Sequence, residues 1–202
     1  MNPSIGEYLL SRTVDPAGSG ISLSEAKSHL RVQHTADDAF IASLIAAVDS
    51  YFDAPNGAIG KALYTQTWQL SVAFIDGGSK LHLPVTPVQS IFSITYFDSD
   101  NVPQSLAVDD FYLYKNEDWA YLCPKPGASW PSTYCRLDAV TVTFVAGYGA
   151  SADIPQGIKQ AMLLTLTHWY ENRSASVVGH VAHDLPLAVD SLISLYRKGW
   201  VA

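Results

Sequence analysis

The densest chemistry in the chain is the run His168-Trp169-Tyr170-Glu171-Asn172-Arg173. Imidazole, carboxylate, amide and guanidinium side by side could move protons or grip an anion. At helical spacing they separate. Trp169 falls on the face of Met162 and Thr165, whereas His168, Glu171 and Asn172 share an adjoining face. Arg173 follows Trp169 by one helical turn and can lay its guanidinium over the indole. General acid–base catalysis would need a second group within hydrogen-bond reach, and the sequence points to none. The run therefore reads as a helix end. Its His168, Glu171, Asn172 and Arg173 are expected to bond across a helix or subunit boundary.

The remaining reactive residues have simpler readings. His180 and His183 precede Asp184 in a glycine-containing loop, without the third ligand that a metal site requires. Asp37-Asp38 sits where a carboxylate suits a helix N-terminus, and Asp109-Asp110 fits turn chemistry. Cys123 and Cys135 fit no CxxC or zinc spacing, which suggests a reducing compartment. No GxSxG, HExxH, P-loop or GxGxxG motif occurs. The two glycines of "AGYGAS" let a strand end and the chain turn into a helix. The expectation is no catalytic residue, no metal, no cofactor and no enzyme.

The elements that would hold these residues follow from periodicity. Ser22 and Glu25 have capping-box spacing ahead of Leu23, Ala26 and Leu30. Phe40, Ile41, Leu44, Ile45, Val48 and Phe52 then recur at helical spacing, giving an αα-hairpin over 22–53. After "APNGAIG" the period drops to two. "TWQLSVAF", "SIFSITYF" and "AVTVTFVAGYG" alternate clearly, while "KLHLPV", "DFYLY" and "WAYLC" are shorter and "DSDN" marks a hairpin turn. Helical spacing returns at "DIPQGIKQAMLLTLTHWYENR", with Pro155 near the first turn, and again at "LPLAVDSLISLYRKG", closed by Arg197, Lys198 and Gly199. Two helices, roughly five or six antiparallel strands and two more helices predict an α+β fold: a helical bundle with an antiparallel sheet inserted between its second and third helices. Residues 1–20, ending in "DPAGSG", read as a flexible segment. Residues 21–202 read as one domain, with a β insertion at 62–149 and C-terminal helices at 154–173 and 185–198.

Composition narrows the function. A net charge of −7, with basic residues spread thinly, argues against gripping a nucleic-acid backbone. It suits a surface past which DNA moves without sticking. Charged residues make up 15% of the chain, below the usual quarter or so, as expected if much of the surface meets partners. No signal peptide is expected at the N-terminus, and no apolar run approaches the ~18 residues of a membrane span.

"SLSEAKSHLRV", "TADDAFIASLIAAV", "ALYTQTWQL", "LPVTPVQSI", "SITYFDSDN", "VTVTFVAGYG", "IPQGIKQAMLLTLTHWYENR" and "LISLYR" occur in that order. Together they resemble the head–tail connector (adaptor) proteins of tailed phages and phage-derived gene transfer agents, over about residues 21–197. The resemblance implies a structural protein in a homo-oligomeric ring, usually a dodecamer, beneath the portal protein. It would join the DNA-filled head to the next tail-proximal connector or stopper, and DNA would pass through its channel without sequence-specific binding. The location implied is the head–tail junction of a particle assembled in the bacterial host's cytoplasm. The family's portal-docking segment falls on 185–202 here, with Leu192, Tyr196, Arg197 and Trp200 as candidate contacts. The proline-rich loop around Trp130 is the tail-side candidate. A competing reading is a monomeric module that binds glycan or peptide on an aromatic β face containing Trp119, Tyr121, Trp130 and Tyr134.

Overall fold

The computed structural model describes residues 8–16, 18–73, 75, 80–172 and 187–198. The chain folds as two compact units. Residues 17–64 and 148–202 form one, and residues 1–16 and 65–147 form the other.

The first unit is helical. Helix α1, Leu23–Leu30, opens with the predicted capping box: Glu25 N–H donates to Ser22 Oγ at 3.2 Å, and Ser22 N–H donates to Glu25 Oε2 at 2.8 Å. The Ser22 hydroxyl, which donates to Glu25 Oε2 at 2.6 Å, and then the Ser22 N–H hold the Glu25 carboxyl below its ordinary pKa. Arg31, at φ 58°, stops the helix in the left-handed region. Lys27 then reaches over the turn to His34 O at 2.8 Å and Asp38 Oδ1 at 2.5 Å. That bond ties α1 to the first turn of α2, Asp38–Phe52. Ile41, Ile45, Val48 and Phe52 form the buried stripe of α2. Helix α3, Gln156–Glu171, follows Pro155 and buries Ile158, Ala161, Met162, Thr165 and Leu166. Helix α4, Leu187–Ser194, adds Val189 and Ile193 to the same core. Each fully buried aliphatic or aromatic side chain contributes about 1.5–3 kcal/mol, so this shared apolar interior is what holds four short helices together.

The second unit is built of β-strands, with a 3-10 turn at Val108–Asp110. Counting from the N-terminus, its strands are β1 Tyr8–Val14, β2 Gln66–Val72, β3 Leu81–His82, β4 Val88–Phe97, β5 Pro103–Leu106, β6 Phe111–Lys115, β7 Ala120–Pro124 and β8 Val140–Ala146. They form two antiparallel sheets, of five strands in the order β1-β2-β8-β4-β5 and of three in the order β3-β7-β6. The central strand β8 alternates strictly, with Val140, Val142, Phe144 and Ala146 buried. Within the stretch read as flexible, Tyr8–Val14 pairs with β2 from Tyr8 opposite Val72 to Val14 opposite Thr67. Both β1 and β5 are edge strands wetted on their two faces, so neither carries the alternation by which buried strands are recognised.

The predicted α+β architecture is the observed one. Its β part consists of two sheets rather than one, and the N-terminal strand joins the sheet from outside the insertion. The insertion's two ends are tied inside the helical unit: Tyr64 bridges Gly149, and Tyr148 N–H donates to Leu63 O at 3.2 Å. Gly149 turns there at φ 138°, and a side chain at this position would strike the Asp153 carboxylate.

Candidate functional site

The end of α3 is a structural helix end. His168 is half-buried, and Glu171 and Asn172 are exposed. Asn172 turns back on its own helix: its backbone N–H and its Nδ2 both donate to His168 O, at 3.0 and 2.9 Å. The contacts that cross to another helix come from the aromatics. Trp169 meets Tyr51 of α2 edge-on, with ring centroids 5.8 Å apart. Tyr170 donates to Asp37 Oδ2 at 2.5 Å and lies against Phe40. Asp37, read from sequence as a helix-terminus charge, is thus also an acceptor for α3. Arg173 lies outside the described residues, as do His180 and His183.

Of the C-terminal candidates, Leu192 and Tyr196 are half-buried against the helical core. Tyr196 packs on the first turn of α3 at Gly157, where an added Cβ would come within 2.7 Å of its ring. Arg197 is exposed, yet its guanidinium is held by Asp190 Oδ1 at 2.9 Å and Ala58 O at 3.2 Å. The side chain most available for docking is Leu195, 80% exposed, which the sequence reading passed over. Trp200 lies outside the described residues.

Trp130 requires a correction. It is buried, 4% exposed, with its ring centroid 4.6 Å from that of Phe111. It anchors the proline-rich loop from below and is not presented by it. The exposed aromatic surface of the β unit lies elsewhere, on the outer face of the three-stranded sheet. Tyr112 pairs with Cys123, Tyr114 with Tyr121, and Tyr121 with His82. Cross-strand partners share a face, so these side chains form one aromatic surface, and Leu81, Leu113 and Leu122 point the other way. Trp119 lies 5.6 Å from Tyr121 between ring centroids. Two ammonium groups cover the same face: Lys80 Nζ is 4.3 Å from the Tyr121 ring and Lys125 Nζ is 5.3 Å from that of Tyr112. The period-two spacing of "DFYLY" and "WAYLC" carried this face, but which side met solvent was not written in it.

One buried polar cluster escaped sequence analysis. Tyr64 donates its hydroxyl to Asp49, and Gly20 N–H donates to Tyr64 Oη at 2.7 Å and to Asp49 Oδ1 at 3.3 Å. Burial raises the Asp49 pKa above its ordinary value. Burial, then the bond to Asp49, raises that of Tyr64. A few residues on, Asp53 accepts from Leu63 N–H at 2.9 Å. These groups lock the chain where it enters and leaves the helical unit. Among the described residues, no group of three or more His, Cys, Asp or Glu could hold a metal ion, and no helix is long and apolar enough to cross a membrane. Both cysteines are free thiols.

The fold is a helical core with an inserted β unit. Residues 20–102 match the model of the phage gp6-like head–tail connector protein family, so the resemblance read in the sequence holds over α1, α2 and the first strands of the insertion. The whole fold is similar to that of chains in solved gene transfer agent (GTA) particles. A chain in the neck of an empty GTA particle computed with C6 symmetry has a TM-score of 0.71 and 24% identity, covering 96% of this chain and 97% of that one. A chain in the virion of a native GTA particle gives 0.71 and 21% with the same coverage. A chain in the neck of a native GTA particle computed with C12 symmetry gives 0.69 and 22%, again with the same coverage. No curated protein sequence matches this chain.

Proposed function

We propose that this protein is a structural head–tail connector. It forms a homo-oligomeric ring beneath the portal of a phage or gene-transfer-agent particle, links the head to the next tail-proximal protein and leaves a channel for DNA. The observation that carries this reading is the match of residues 20–102 to the gp6-like connector family. The end-to-end fold likeness to chains in GTA necks supports extending it to the full chain. Twelve copies is the expected ring size, in keeping with the C12 symmetry of one of those necks. The net charge of −7 suits a conduit wall that repels phosphate. The role is non-enzymatic.

Portal docking is assigned to residues 185–202. Leu195 is a contact that needs no unpacking, Arg197 one that must first leave Asp190 and Ala58 O, and Leu192 and Tyr196 must hold the fold as well. The test is co-expression with the portal protein of the same particle. Rings visible by electron microscopy and co-purification with portal are expected, and deletion of 185–202 should abolish co-purification. A truncated chain that still binds portal removes the C-terminal assignment, and a chain that stays monomeric at every concentration removes the connector reading. The exposed face of Tyr112 and Tyr114 favours a second reading, a monomeric module that binds peptide or glycan. A stable monomer that binds such a ligand would support it.

A further inference from the structure

Two exposed features of the β unit match each other in charge and shape. The first is the outer face of the three-stranded sheet. Tyr112 and Tyr114 are 43% and 52% exposed, and Lys80 and Lys125 stand over neighbouring rings. In a chain of net charge −7 this is a local concentration of cation and aromatic surface. The second is the β4–β5 hairpin. Asp98 accepts from the backbone N–H groups of Asp100 and Val102, at 3.0 and 2.9 Å, and from Gln104 Nε2 at 3.0 Å. The Val102 N–H, then the Gln104 amide, hold the Asp98 carboxyl below its ordinary pKa. Arg136 braces the tip from the side. It donates to Asn101 Oδ1 at 3.0 Å and to both Asp138 oxygens, at 2.6 and 2.8 Å, while its guanidinium lies 3.6 Å from the centre of the Phe97 ring.

The hairpin is therefore rigid, acidic and outward-facing. Asp100 is exposed at its tip, followed by Val102, 47% exposed, and exposed Pro103. A loop that only connected two strands would need no such bracing. Ordering a contact surface in advance removes an entropy cost from binding.

We propose that the acidic β4–β5 hairpin of one copy seats on the lysine–tyrosine face of the next. Asp100 would pair with Lys80 and Lys125, and Val102 and Pro103 would lie on the rings of Tyr112 and Tyr114. A second copy is the occupant because one chain carries both halves, and because a head-to-tail contact between different surfaces of identical chains is the kind that builds a ring when its rotation closes. The inference rests on the connector reading and assigns it a subunit interface.

The test is charge exchange, read by sedimentation velocity and native mass spectrometry on the full chain. K80E/K125E and D100K alter surface positions, and each alone should lower the ring fraction at least tenfold at fixed concentration. Unchanged circular dichroism and melting would show that both remain folded. The equimolar mixture should regain rings, because at every junction of an alternating ring the exchanged charges then meet as opposites. The neutral variants K80Q/K125Q and D100N should weaken assembly less and gain nothing from mixing. Intact rings in the single variants, or no recovery in the mixture of folded variants, overturns the hairpin interface and leaves the connector reading standing. A wild-type chain that never assembles overturns both.

Discussion

At the residue scale, the buried Asp49–Tyr64–Gly20 cluster is the most exposed to perturbation. Tyr64→Phe removes a hydroxyl that both donates to Asp49 and accepts from Gly20 N–H. Loss of about 1–3 kcal/mol is expected, measured by denaturant unfolding, because the partners left behind stay out of water. Asp49 also sets a pH dependence. Its pKa is raised in the folded state, so folded Asp49 keeps its proton where unfolded Asp49 has lost it. Its contribution to stability is therefore full below the unfolded value and declines as pH rises through the folded one. Glu25, Asp98 and Asp138 have depressed values and act in the opposite sense, adding stability that is lost as pH falls. Asp49→Asn should flatten the decline on the upper side of the carboxylate range and leave the acid side in place, as read from unfolding midpoints at a series of pH values. Trp130→Ala should cost about 3–5 kcal/mol, the usual effect of emptying an aromatic core site, and so lower the melting temperature. A docking-only tryptophan would leave melting unchanged.

At the element scale, caps and edges decide. Ser22→Ala breaks the capping box of α1 and should cost about 1 kcal/mol in unfolding free energy. Deleting residues 1–14 strips β1 from β2 and leaves a long open edge beside buried Trp68 and Leu70. Such edges pair with other chains, so the truncated chain should scatter light on concentration where the full chain does not. Legibility followed burial. The stripe of Ile41, Ile45, Val48 and Phe52, the alternation of β8 and the Ser22–Glu25 cap were all readable, because each is a local pattern with one physical cause. Strands β1 and β5 were not, since solvated edges impose no alternation. Trp130 was misplaced because a proline-rich loop predicts exposure, and only the tertiary position of Phe111 could say otherwise. The Asp49–Tyr64 cluster joins groups too far apart in sequence for spacing to reveal.

At the scale of the whole molecule, assembly is what the surfaces predict. The α3 terminus looked reactive by composition, yet it bonds inward and to its own helix. Among the described residues, the surfaces available to partners include Leu195, the β4–β5 hairpin and the lysine–tyrosine face. In the proposed interface Asp100 meets Lys80 and Lys125 at the surface. Ring formation should therefore weaken as salt rises from about 0.05 to 0.5 M, where screening shortens to a few ångströms, with the ring fraction followed by sedimentation.

The helical unit is assembled from two chain segments separated by about 80 residues of β structure. On the ribosome, α1 and α2 emerge well before α3 exists. Between the end of α2 and the start of α3 the ribosome adds residues 53–155, so at 5–20 residues per second the wait is roughly 5–21 s. During it the stripe of Ile41, Ile45, Val48 and Phe52 has no mate, so the nascent chain displays a sticky helical pair for seconds while the sheets fold. Yield in the cell should therefore depend on chaperones that guard nascent chains more strongly than the stability of the finished protein would suggest.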